Sequence, residues 1–280
     1  MPLKPKGLSS FSVDLILSSM GPERPVSVDR ALALHAAGFA REVDDEVRAA
    51  FSFWSAPTST RELMLRVDWA ELVDSGHRAF QHVIRNLPSS RDVMKGDYWA
   101  WRAYRAAYPR AYVEAVGTAT RAHDIQGPLV WSIMRTESHY RDDALSPAGA
   151  RGLMQIMPST ARRIGETAPE AQSHAIRYVE PRSNVWLGAW YLRRLSERFP
   201  TFLPASIGAY NAGPRAMIRW VEASTGRPTD EFIERIPYRE TRRYVRRVLE
   251  SLWTYQMLYD LPMTDLAGTV PPPGDGGVGF

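Results

Sequence analysis

Cysteine is absent from all 280 residues, and its absence removes whole classes of chemistry. There is no disulfide framework, no thiolate nucleophile, no cysteine-ligated zinc or iron–sulfur cluster and no acylated lipoprotein cysteine within this sequence. Compartment stays open, because cysteine-free chains are tolerated in cytoplasm and periplasm alike. No run of about 18 apolar residues occurs, so no transmembrane segment is expected. The histidines, His35, His77, His82, His123, His139 and His174, show neither HExxH nor any other ligand spacing, and neither a metal nor a cofactor is expected. The period-two alternation of strands is missing as well. Excess charge of one sign is slight: 35 Lys plus Arg against 31 Asp plus Glu. A domain built to grip nucleic acid clusters its basic residues more strongly, so no nucleic-acid partner is expected.

What is present is a folded composition, 44% hydrophobic and 24% charged, on a chain long enough for one large domain or two of ordinary size. Helical periodicity dominates, and the expected class is all-α. Ser27 to Phe53 reads as two amphipathic helices with Gly38 near the join; 61–74 and 76–87 read as further helices. Helix pairs of this kind stack in α-solenoids, although no clean 34-residue repeat is found. The composition changes at 97–109, DYWAWRAYRAAYP, where five aromatic residues precede a proline. The expected division is therefore a helical segment over 1–107, either the end of a superhelix or a linker domain, a domain carrying the sharp motifs over 108–262, and a mobile proline- and glycine-rich tail over 263–280. The first residues, MPLKPKGLSSFSVDLILSSMG, lack an apolar stretch long enough for a signal-peptide core. Such a chain either stays inside the cell or is a mature or truncated form of an exported one.

Gly127–Arg141, GPLVWSIMRTESHYR, places proline near the first helical position and then an apolar stripe of Val130, Ile133 and Met134. Glu137 stands seven, four and three residues after them and continues the core-facing side. Two readings follow from that spacing alone: a buried structural acid paired with arginine, or a carboxyl in an apolar cleft, kept protonated near neutral pH as a general acid. Ser146–Ala161, SPAGARGLMQIMPSTA, is a loop of small residues and glycines that lets backbone approach a ligand, with Pro158 opening a helix. Ser206–Pro214, SIGAYNAGP, sets an aromatic and an amide beside a glycine turn, suited to sugar stacking and hydrogen bonding. Ile236–Val245, IPYRETRRYV, puts Glu240 and Tyr244 four apart on one helix face.

Together, Glu137–Ser138, Gly152-Leu153-Met154-Gln155, Ala209-Tyr210-Asn211-Ala212-Gly213, and Ile236-Pro237-Tyr238 with Glu240-Thr241-Arg242 and Tyr244-Val245 resemble the four ordered motifs of the soluble lytic transglycosylase (SLT) family. The resemblance covers Tyr108 to Tyr259 and includes the helix Asn184–Leu195 between the second and third motifs. It implies a lysozyme-like, goose-type α-helical catalytic domain, preceded here by helical pairs of a solenoid-like segment. The implied reaction is cleavage of the MurNAc-β-1,4-GlcNAc bond of peptidoglycan without water, leaving a 1,6-anhydroMurNAc end. Glu137 takes the position of the family's single acid and base. Ser146 matches a serine near the substrate acetamido group, Gln155 and Met157 match groove-lining positions, and Tyr210 and Asn211 match residues that hold the sugar or orient the acid. Glu240 matches a second cleft glutamate with a binding role, and Tyr244 a tyrosine close to the catalytic carboxyl; for Met157 and Tyr244 packing is an equal alternative.

The resemblance also accounts for one more scarcity. Two-carboxylate glycosidases need a second carboxyl at about 5–5.5 Å or 6.5–9.5 Å, and no other Asp or Glu lies in a comparable apolar, glycine-flanked motif. Asp142 and Asp143 sit beside Arg141 in a polar stretch and read as solvated loop acids; Asp142 stands where many relatives have proline. His139, two residues from Glu137, faces away from it. Arg239, Arg242, Arg243, Arg246 and Arg247 form a stripe at helical spacing that reads as a solvated face opposite Val245, Val248, Leu249 and Leu252, with contact to wall anions as the alternative. Implied partners are peptidoglycan glycan strands and other cell-wall enzymes, with a monomeric chain located in the periplasm or cell envelope. The alternatives are a goose-type hydrolase of the same bond and a non-catalytic wall-binding or assembly module. The segment 166–182 aligns with none of the motifs.

Overall fold

The computed structural model describes residues 13–20 and 24–272. Among these the backbone forms sixteen α-helices and one three-residue 3-10 turn, with isolated β-bridges but no strand, so the all-α expectation holds. Cα packing divides the chain into two compact units, 1–109 and 110–280.

The first unit contains α1 (Val13–Ser19), α2 (Val26–Ala36), α3 (Ala40–Phe53), α4 (Thr60–Leu72), α5 (Gly76–Arg85), α6 (Ser90–Met94) and α7 (Tyr98–Ala107). Helices α2/α3, α4/α5 and α6/α7 pack as consecutive pairs, the solenoid-like arrangement expected from sequence. Gly38 lies in the α2–α3 turn with φ of 82°, a left-handed conformation that costs glycine nothing. Helix α4 starts at Ser59, whose side chain accepts the Glu62 amide. Bidentate pairs lock the layers: Asp44 with Arg78 between α3 and α5, and Asp68 with Arg102 between α4 and α7.

The second unit comprises α8 (Val113–His123), α9 (Gly127–Ser138), α10 (Pro158–Thr167), α11 (Gln172–Ile176), α12 (Pro181–Arg198), α13 (Leu203–Ala212), α14 (Pro214–Glu222), α15 (Thr229–Arg235) and α16 (Arg239–Leu258). Helix α9 packs along α16 and also touches α8 and α12, while α13 is pressed between α12 and α16. Both α9 and α13 are buried over most of their circumference: Leu129 to Met134 in one, Pro204 to Ala209 in the other. Helices apolar all round belong in the centre of a core. Val130, Ile133 and Met134 are each 0% exposed, and burying such side chains stabilises the fold by about 1.5–3 kcal/mol apiece. Gly188 on α12 allows the loop before α10 to come close, since a Cβ there would lie 2.7 Å from the Met154 Cβ.

The end of the chain departs from the expected free tail. Residues 264–270 are fastened to the second unit: the Thr264 carbonyl accepts the Trp253 indole N–H at 3.0 Å, and the Thr229 amide donates to Gly268. Gly226 and Val270, then Val270 and Arg227, continue the backbone pairing, and Val270 is 2% exposed. Threonine and valine supply anchors that the proline and glycine content of the segment obscures. The remainder of the expected tail, from 273 on, lies outside the described residues.

Candidate functional site

Glu137 occupies the last turn of α9, one residue before its end. The helix stops there because His139 and Tyr140 take left-handed φ values of 52° and 63°. The chain then turns into the 139–157 loop. Three devices shape that loop. Ser146 closes a tight turn, its amide donating to the Ala150 carbonyl and its Oγ accepting the Ala150 amide at 3.0 Å. Gly152, at φ of 77°, passes so close to Asn184 that a Cβ would lie 2.7 Å from the Asn184 Nδ2. Asn184 itself, fully buried on α12, accepts the Met154 amide at 2.7 Å and donates to the carbonyls of Arg151 and Tyr178. The Ser138 hydroxyl ties the end of α9 to the same loop through the Leu153 carbonyl at 2.8 Å.

Glu137 is half-buried as a residue, with its carboxyl sunk among protein atoms. Burial pushes its pKa up to about 7; the Tyr244 hydroxyl opposes that rise, and the nearby Glu240 charge adds to it. Tyr244, 6% exposed on α16, donates to Glu137 Oε1 at 2.6 Å, the short geometry of a charge-assisted bond. Burial and the Glu137 charge hold the Tyr244 hydroxyl well above its ordinary pKa, so it stays a donor throughout the neutral range. Tyr210 on α13 is raised in the same way, with burial first and the Glu137 charge second; its hydroxyl donates to the Met154 carbonyl at 2.9 Å. Asn211, the next residue, is oriented by the Thr241 hydroxyl, which donates to its Oδ1 at 2.6 Å. The site can therefore deliver a proton near neutral pH and receive one back.

The sequence candidates fall into two groups. Glu137, Tyr210, Asn211 and Tyr244 converge at the α9–α13–α16 junction, and Glu240 joins them electrostatically from an exposed position at the start of α16. Ser146 and Gln155 shape the loop. Gln155, at φ of 48°, spends its Nε2 hydrogens on the carbonyls of Ala144 and Gly152, so a substrate could meet its Oε1 acceptor and not its donor. Met157, half-exposed, precedes Pro158 at the start of α10. Asp143 pairs with Arg141 at 3.0 Å, and Asp142 is exposed beside Tyr112, in keeping with loop acids. Arg239, Arg243, Arg246 and Arg247 are exposed, Arg242 is partly so and donates to the Glu234 carbonyl, and Arg246 pairs with Glu234 at 3.0 Å. Among the described residues no group of three or more His, Asp or Glu could hold a metal ion, and no helix is long and apolar enough to cross a membrane.

Sequence reasoning passed over Asn184, Ser138 as a loop anchor, Thr241 and Tyr191, whose ring lies 5.4 Å from that of Tyr210. Asn184 had one visible signal, a lone amide opening the apolar run NVWLGAWYL, and Gly152 and Gly188 are the places where other chain segments press against it and its helix.

An all-helical core with one carboxyl of raised pKa buried at its central junction is the arrangement with which known proteins can be compared. Residues 114–233 match the family model of the Transglycosylase SLT domain. Soluble lytic murein transglycosylases of Salmonella typhimurium and Escherichia coli K12 are each 30% identical to this chain, over 248 and 210 residues. Those alignments cover 82% and 70% of this chain but only 36% and 31% of the relatives. Among solved structures, a 70-kDa soluble lytic transglycosylase in complex with bulgecin A has a TM-score of 0.70 at 23% identity, covering 98% of this chain and 41% of that one. The lytic transglycosylase Slt of Pseudomonas aeruginosa gives 0.68 at 24%, covering 89% and 38%. The second unit therefore carries a Transglycosylase SLT domain over residues 114–233, and the chain spans less than half the length of these relatives.

Proposed function

We propose that the chain is a peptidoglycan lytic transglycosylase in which Glu137 is both acid and base. The supporting observation is the Glu137 carboxyl itself, raised to about 7 by burial and held by the Tyr244 hydroxyl at 2.6 Å. At neutral pH a large share of the molecules carry this proton. It passes to the glycosidic oxygen between MurNAc and GlcNAc as the C1–O bond breaks. The carboxylate left behind then takes the proton from the MurNAc 6-hydroxyl, and that oxygen bonds to C1. The product is a 1,6-anhydro sugar, no water is consumed, and Glu137 ends protonated as it began.

Tyr244 steadies the carboxylate between the two transfers and cannot itself lose its proton there. Stabilisation at C1 falls to the substrate's own 2-acetamido group, with Ser146 on the neighbouring turn as its contact. Tyr210 and Asn211 position the sugar and the acid, Gln155 and Met157 line the groove, and Glu240 binds glycan from the rim. The names of the family relatives, murein transglycosylases that include a membrane-bound one from Mannheimia succiniciproducens, support a cell-envelope substrate and location, with other wall enzymes as partners. Substituting Glu137→Gln abolishes turnover on isolated peptidoglycan and leaves glycan binding intact; a Gln variant that still cleaves overturns this reading.

A further inference from the structure

A pocket of about 300 Å³ lies at the opposite end of the three helices that carry the candidate site. Leu129 lines it from α9, Leu203 and Ser206 from α13, and Leu252 from α16. Leu129 and Leu203 come eight residues before Glu137 and Asn211 on their helices, and Leu252 comes eight after Tyr244. Eight residues of helix span about 12 Å, so more than two turns of the core separate this pocket from the Glu137 carboxyl. Its floor is apolar: Leu129, Phe199, Phe202 and Leu252 are at most 6% exposed, while Ile125 and Leu203 remain partly open to solvent. One wall is the segment after α16. Thr264 is held there at three points: its carbonyl accepts the Trp253 indole N–H, its amide donates to Gln256 Oε1 at 3.1 Å, and its hydroxyl accepts from Gln256 Nε2 at 2.7 Å. Gln256 is itself 1% exposed, so a buried amide fixes this wall.

Two carboxylates belong to the lining. Asp265, exposed, has no ion-pair or hydrogen-bond partner among the described residues, and the Asp124 side chain is 96% exposed. The one cation in the lining, Arg193, is already engaged: its Nε donates to Glu197 at 3.0 Å and its Nη1 to the Asp124 carbonyl at 3.3 Å, with the Asp124 carboxylate more loosely at 3.4 Å. An apolar floor beneath a rim of carboxylates selects a molecule with an apolar body and a cationic head. At the roughly 30 Å³ that liquid water allots to each molecule, the space admits about ten non-hydrogen atoms, the size of a small arylalkylammonium and well short of a disaccharide. We propose that this pocket is a second ligand site, separate from the cleft of Glu137, for a small organic ammonium ion whose body lies against Phe202 and Leu252 and whose head meets Asp124 and Asp265. Such a site does not depend on the reaction assigned to Glu137.

Three probes that share one body and differ in the head test this: phenethylammonium, 2-phenylethanol and 3-phenylpropionate. Their dissociation constants are measured on the full chain by NMR titration, with the amides of Gln126, Ser196 and Thr264 in the pocket lining as reporters. Phenethylammonium is expected to bind about fivefold tighter than the alcohol and the carboxylate most weakly, the differences narrowing as salt is raised. Asp124→Asn/Asp265→Asn is expected to bring the ammonium to the affinity of the alcohol and to leave the alcohol unchanged. Both positions are exposed, and asparagine tolerates the left-handed backbone of Asp124, at φ of 50°, so the fold is kept. Glu137→Gln is expected to leave all three constants unaltered. Equal affinity for the three heads, an ammonium preference that survives the double substitution, or no response at the three reporters overturns the proposal. Weakened binding in Glu137→Gln would assign the probes to the catalytic cleft and overturn it as well. Ammonium-selective binding by a chain that yields no anhydro product would keep this inference and refute the proposed reaction.

Discussion

Replacing Glu137 with glutamine removes the carboxyl to which the proposed chemistry is assigned and, on the same physics, makes the protein more stable relative to wild type as pH rises. The ordinary pKa of the side chain is 4.5, and burial raises it to about 7 in the fold. Below 4.5 the carboxyl is protonated in both folded and unfolded chains and contributes no pH dependence. Between 4.5 and 7 the unfolded chain has lost the proton while the folded chain still binds it, so stability falls as pH rises. Above 7 both states are ionised and the loss is complete. A gap of this size, at about 1.36 kcal/mol per unit, sets an upper bound of roughly 3 kcal/mol; the partial solvent contact of the residue reduces it to about 2 kcal/mol. Glutamine does not titrate, keeps the shape, and can still accept the Tyr244 hydroxyl. Urea denaturation of wild type and Glu137→Gln at pH 4.5 and pH 8 isolates the effect, because every other titrating group cancels between the two proteins. The variant should gain about 2 kcal/mol over wild type between those two pH values. A difference that stays constant with pH would show that the carboxyl is not held protonated by its surroundings, and the assignment of a neutral-pH proton donor would fail with it.

Two further perturbations follow from the same geometry. Tyr244→Phe deletes the one contact that favours the ionised carboxyl. The Glu137 pKa should rise by about one unit, and the alkaline fall in kcat/KM should move upward correspondingly; an unmoved or lowered limb contradicts the role given to the hydroxyl. Asn184→Ala strips the Met154 amide and the carbonyls of Arg151 and Tyr178 of a fully buried partner. The expected cost is about 3 kcal/mol in denaturation, with a loss of activity exceeding that of an exposed substitution such as Arg247→Gln.

The central features were legible in the sequence wherever they depend on periodicity. The apolar stripe Val130, Ile133 and Met134 placed Glu137 on the core side of α9, and Gly38 marked the turn between α2 and α3. What periodicity does not carry was harder to read. Asn184 acts 30 residues away from Met154, through side-chain bonds to loop backbone that leave no pattern in either segment. Thr241 stood in the fourth motif without a role of its own, yet it is 1% exposed and orients Asn211. Gln155 was placed in the groove by resemblance, while its left-handed backbone and its donors tie it to the loop itself. The fastened segment 264–270 was hidden for a related reason. Its backbone pairing with 226–229 uses main-chain groups, which every residue possesses and no composition reveals.

The account stands or falls on the fate of the glycosidic carbon. Mass spectrometry of muropeptides released from purified peptidoglycan by the wild-type chain should show products lighter by one water than those of a hydrolase, ending in 1,6-anhydroMurNAc, and none from Glu137→Gln. Products that end only in hydrated reducing sugars would contradict it and identify a hydrolase built on the same carboxyl.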